Sequence, residues 1–135
     1  MENVYELVSQ LEELKQREKD NLLFSAIRSG DWRLVELAIA IGADITARGN
    51  TVVSEAVRWG NDMVVSVLLK EGADVSSEYE DSLLFAVSYG FENIVKMLLE
   101  AGAKPDVRDG LPLKMANKYG RKKISHLLME YEAKD

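Results

Sequence analysis

The chain has 135 residues, 47% of them apolar and 30% charged, with no cysteine, one histidine and a net charge of −6. This is enough chain for one folded unit, and the composition is that of a globular protein and not a disordered one. It excludes disulfides, thiolate metal sites and cysteine nucleophiles, and the absence of a leader-like start or a long apolar run sets the expectation of a soluble, cytoplasmic (intracellular) protein.

The first predicted element covers residues 3–18, where Val4, Leu7, Val8, Leu11 and Leu14 recur at heptad-like spacing among Glu6, Glu12, Glu13 and Lys15. Such a stripe predicts one amphipathic helix, within an N-terminal segment 1–20 that caps the remainder of the chain. A dimerising helix is the alternative, because the stripe is short for a coiled coil. A monomer is the primary expectation.

From residue 21 the chain repeats itself. A short apolar segment, Leu22-Leu23-Phe24-Ser25-Ala26-Ile27, comes after Asn21 and ends at Gly30. A second segment then carries Leu34-Val35 and Ala38-Ile39 before Gly42. Apolar positions at i, i+1, i+4 and i+5 form one stripe on a helix of 3.6 residues per turn, so each segment is predicted helical. Asn21, Thr51 and Asp81 stand where caps of the first helices belong.

The next units place Val64-Val65 and Leu68-Leu69, then Ile94-Val95 and Leu98-Leu99, then Ile124 and Leu128-Met129 at the same offsets. Gly30, Gly60, Gly90 and Gly120 are thirty apart, as are Ala26, Ala56, Ala86 and Ala116, and as are Gly42, Gly72 and Gly102. A fixed period of this size marks a solenoid. The expected units are residues 21–50, 51–80, 81–109 and 110–133, stacked as one folded body over 21–135. Lys118, Arg121, Lys122, Lys123, Glu130 and Glu132 make the last unit polar, as a terminal cap must be.

The segments Gly42-Ala43-Asp44-Ile45, Gly72-Ala73-Asp74-Val75 and Gly102-Ala103-Lys104-Pro105 each come after a helix of this kind, and the pattern resembles the ends of ankyrin repeats over residues 21–131. The resemblance implies an all-α, ankyrin-like helix-turn-helix solenoid of four repeats with an N-terminal capping helix. Two departures are evident. The unit is thirty residues instead of about 33, so the β-turn fingers should be stunted. The family's Thr-Pro-Leu-His start is largely missing, as in Asn21-Leu22-Leu23-Phe24 and Leu111-Pro112-Leu113-Lys114.

The resemblance also implies a protein partner on the concave face, made by the ends of the first helices and the fingers. The two positions before each inter-helix glycine are Arg28-Ser29, Arg58-Trp59, Ser88-Tyr89 and Lys118-Tyr119. Aromatic residues and arginine dominate interface hot spots. Arg28, Arg58, Trp59, Tyr89, Lys118 and Tyr119 are therefore the candidate partner-binding residues, with Arg48, Asn50, Tyr79 and Arg108 as secondary loop contacts. Two competing readings stay open: the rings pack over neighbouring helices, and the loop residues are solvated turn positions.

Charge is unevenly spread. Residues 1–20 carry −3, residues 71–109 carry −6 and residues 110–135 carry +3. An acidic chain does not suit a phosphate backbone as main partner, and the cluster Arg121-Lys122-Lys123 reads as a solvated helix face. The lone His126 supports neither a metal site nor a triad, and no phosphate-binding loop is present, so no catalytic residue, metal or cofactor is expected. The expected function is a non-enzymatic adaptor or inhibitor binding an intracellular protein. The alternative is a virus- or bacterium-encoded ankyrin protein antagonising a host or defence enzyme, with the acidic middle imitating nucleic acid.

Overall fold

In the computed structural model, residues 3–12, 14–75 and 81–134 are described. Within them the chain is helical and contains no strand. The helices are α1 (Val4–Glu12), α2 (Gln16–Ser29), α3 (Trp32–Ala40), the single turn α4 (Ala47–Asn50), α5 (Val52–Arg58), α6 (Asp62–Lys70), α7 (Ser82–Tyr89), α8 (Glu92–Glu100), α9 (Val107–Lys118) and α10 (Lys122–Ala133).

Among the described residues the helices pair as α2 with α3, α5 with α6, α7 with α8 and α9 with α10. Like helices also meet along the stack: α2, α5, α7 and α9 form one layer, and α3, α6, α8 and α10 the other. The core lies between the layers and between successive pairs. Its columns are the predicted ones: Ala26, Ala56, Ala86 and Ala116 are fully buried, as are Val35, Val65 and Val95, and Ala38, Leu68, Leu98 and Leu128. Alanine recurs in the first helices because a larger side chain would hold the paired helices apart.

The first helices end at their glycine, as α2 and α7 do, or one residue before it, as α5 and α9 do. Gly30 takes φ +75°, with its N–H donated to the Ile27 carbonyl and the Asp31 N–H donated to the Ala26 carbonyl. Gly90 and Gly120 repeat this hydrogen-bond pair onto Ala86 and Ala116 and their neighbours, the αL termination that glycine accepts without a Cβ clash. The second helices are capped by side chains at the start of the stack: Asp31 Oδ1 accepts from the Leu34 N–H at 3.1 Å, and Asn61 Oδ1 from the Val64 N–H at 3.0 Å.

Several expectations need correction. The single helix over residues 3–18 is two helices, because Lys15 is extended (ψ 153°) and α2 begins at Gln16. Asn21 therefore lies inside α2 and not at its cap. The extension is held by the first loop, where Gln16 Nε2 donates to the Gly42 carbonyl (2.9 Å) and the Asp44 N–H to Asp20 Oδ1 (2.7 Å). Thr51 and Asp81 occupy cap positions but make no side-chain cap bond. Within the N-terminal segment expected to cap the stack, α1 leaves Val4 73% and Leu7 47% exposed while Val8 is half-buried. The side chain of Leu11 lies outside the described residues.

Candidate functional site

The candidate residues sit where the first helices end. Arg28, Arg58 and Lys118 occupy last turns, Tyr89 closes α7, and Trp59 and Tyr119 are the C-cap residues of α5 and α9. The helices of this layer run side by side, so one sequence column becomes one edge of the molecule. Cations there complement the partial negative charge of the helix C-termini.

Trp59 is 54% exposed, Tyr89 46% and Tyr119 49%, and these three rings are among the most exposed large apolar side chains of the described chain. They are not equivalent. Tyr89 stacks on Phe85 (6.3 Å between centroids, planes 7° apart) and tilts against Phe91 (5.4 Å, 53°). No other ring packs against Trp59 or Tyr119 among the described residues. Ring stacking therefore engages Tyr89 and not the other two, although the three are exposed to a similar degree.

The cations divide in the same way. The Arg58 guanidinium lies over the Phe85 ring (5.4 Å), and Lys118 Nζ is 5.8 Å from the Tyr119 ring centroid. Arg28 is exposed. Among the described residues none of the three is paired with a carboxylate, so each retains its charge for an incoming group.

The loop candidates fare differently. Arg48 is exposed but anchored: its Nη2 donates to Asn21 Oδ1 at 2.9 Å and its guanidinium covers the Phe24 ring at 4.1 Å. Arg108 makes the corresponding bond sixty residues on, Nη2 to Asp81 Oδ1 at 2.7 Å, as an ion pair. Both arginines are left-handed, with φ 55° and 50°, and in the fourth unit Arg108, Asp109 and Gly110 form three successive αL residues interrupting α9. The shortened finger is thus a left-handed turn whose arginine is tied to the start of its own repeat. Arg48 and Arg108 are each latched within their own repeat while remaining exposed. Tyr79, with Glu78 and Glu80, and the side chain of Asn50 lie outside the described residues.

One column escaped the sequence reading. The residue after each inter-helix glycine seats on the glycine of the preceding unit. Asn61 Nδ2 donates to the Gly30 carbonyl (3.2 Å), the Phe91 ring lies on Gly60, and the Arg121 guanidinium lies on Gly90 with Nη2 donated to the Ser88 carbonyl (3.2 Å). Arg121 is accordingly packed into the stack instead of forming a solvated face. Asn, Phe and Arg share no chemistry a pattern would register; the shared signal is their position one residue past the glycine.

Chemically, the edge offers contact area and positive charge. His126 is exposed on α10, and among the described residues no cluster of three or more His, Cys, Asp or Glu could hold a metal. No described helix is long and apolar enough to cross a membrane. Compared with known families, residues 48–78 and 82–110 match the family model described as Ankyrin repeat, which falls on the second and third units. None of the curated proteins is a significant match.

Proposed function

We propose that this ankyrin-repeat chain is a non-enzymatic adaptor or inhibitor that binds an intracellular protein through the edge carrying Arg28, Arg58, Trp59, Tyr89, Lys118 and Tyr119. Ankyrin repeats are in general protein–protein interaction modules, and in the family's geometry this edge belongs to the concave face. The observation that carries the reading is the half-exposure of Trp59 and Tyr119 with no packing ring, in register with Tyr89 and beside unpaired cations. Rings of this kind bury large area at small entropic cost, and unpaired cations at helix ends select a partner surface that is apolar at its centre and carboxylate-bearing at its rim.

The test is affinity capture from the native source with wild type, Trp59→Ala/Tyr119→Ala and Arg58→Glu/Lys118→Glu. The aromatic variant should lose the specifically retained protein, and the charge variant should weaken its capture most at low salt. Equal recovery by all three would remove this edge from consideration.

A further inference from the structure

In the last unit no described residue fills the seat at the glycine. In the stack, a Cβ on Gly30, Gly60 or Gly90 would meet Asn61, Phe91 or Arg121 at 2.8 Å, whereas at Gly120 (φ +68°) it would meet nothing within 4 Å. Beside Gly120 lies a hollow of about 350 Å³ that reaches Asn117, Lys122, His126 and Met129. Because each seat opens toward the next unit, this hollow faces outward along the stack. Its floor is altered from the repeat pattern. Ile27, Val57 and Val87 give way to Asn117, and Val35, Val65 and Val95 to Ser125. Ser125 Oγ donates to Asn117 Oδ1 at 2.8 Å, so a covering group would not strand that hydroxyl. Met129, 45% exposed, adds an apolar rim.

At the other end, α1 presents Val4, Tyr5 and Leu7 exposed, with Val8 half-buried. The charges of the two ends are complementary. Residues 1–14 contain four glutamates and no lysine or arginine, while residues 110–129 contain five cations and no carboxylate. The chain's own α1 cannot supply the cover. Residues 13–15 span roughly 10 Å at full extension, against about 30 Å between the first and last helix pairs at an axial spacing of ~10 Å, and the hollow faces away.

We propose that the chain associates head to tail: α1 of one copy lays Val4, Leu7 and Val8 into the hollow between Gly120 and Met129 of a second copy, with the acidic charge of this N-terminal segment set against Lys122 and Lys123. The helix takes the place that the next repeat would occupy. Such an interface is heterologous and propagates into longer chains unless an end is blocked. It is salt-sensitive, since screening shortens from about 30 Å at 0.01 M to 8 Å at 0.15 M.

Sedimentation of the full chain tests this. Wild type should show a mass rising with concentration at low salt and falling toward the monomer at physiological salt. Val4→Glu/Leu7→Glu blocks the helix, and Lys122→Glu/Met129→Glu blocks the hollow; each alone should weaken association by about tenfold or more, and Lys122→Glu/Lys123→Glu provides a second hollow variant built only on exposed side chains. Mixing the helix variant with either hollow variant should restore a one-to-one dimer that grows no further, because one intact junction remains. A wild-type monomer under all conditions overturns the proposal. So does association lost in the α1 variant but untouched by both hollow variants, which would be α1 pairing with α1, and so does failure of the mixture to dimerise. Association unchanged by every variant likewise overturns it.

Discussion

The Phe91 ring rests so closely on Gly60 that a Cβ at residue 60 would lie 2.8 Å from Cζ and 3.2–3.3 Å from the flanking Cε atoms. The glycine therefore serves two demands: the αL turn of its own unit, at φ +66°, and the approach of the next. Gly120 meets only the first demand. Gly120→Ala should cost the backbone penalty alone, about 1–2 kcal/mol, whereas Gly60→Ala should cost at least ~1 kcal/mol more through displacement of Phe91. Chemical denaturation of the two variants measures the difference, and equal losses would mean that the seat has no energetic weight.

The two finger arginines should differ from ordinary surface arginines. Arg108→Ala removes an exposed pair worth at most about 1 kcal/mol. Arg108→Gly should be less destabilising than Arg108→Ala, because glycine accepts φ +50° freely. Arg48→Ala uncovers Phe24 as well as losing the Asn21 bond, with a loss of about 1–2 kcal/mol. Thermal melts of the three variants should rank Arg108→Gly above both alanine variants.

Asp44 carries a pH dependence. The Thr46 hydroxyl (2.6 Å) and then the Thr46 N–H (2.8 Å) donate to its Oδ1, and these bonds hold the carboxyl below its ordinary 3.8. A depressed acid stabilises the fold fully above pH 3.8 and loses that contribution as pH falls through its folded value. An NMR titration of the Asp44 carboxyl should show the low midpoint, and Thr46→Val should move it upward toward 3.8. A midpoint unmoved by that change would assign the shift elsewhere.

The aromatic edge should separate into packing and binding. Tyr89→Ala removes contacts with Phe85 and Phe91 and should destabilise by about 1–2 kcal/mol. Trp59→Ala and Tyr119→Ala should stay within about 0.5 kcal/mol of wild type, as exposed substitutions do. Loss of capture by these two stable variants is then attributable to the surface itself, and a large drop in melting temperature for either would identify it as a packing residue.

The repeat was legible in the sequence because its causes are local. A stripe at helical spacing and a glycine at a helix end are required by the chain within one turn of themselves, so the helix pairs and the columns Ala26 to Ala116 and Val35 to Val95 could be read from the thirty-residue period. The exposed rings were legible for the same reason, since a residue just before the glycine falls outside both apolar stripes. What only the tertiary structure decided are contacts spanning 24 to 33 residues: Asp20 with the Asp44 N–H, Arg48 with Asn21, Arg108 with Asp81, Phe91 on Gly60 and Arg121 on Gly90. Arg121 reads as solvated until it is seen seated on Gly90 and the Ser88 carbonyl of the preceding unit, and the start of α2 reads as a continuation of α1 until Gln16 and Asp20 are seen to hold the first loop. Side-chain direction in a solenoid is set by the neighbouring repeat, and the sequence records that neighbour only at a distance of a whole period.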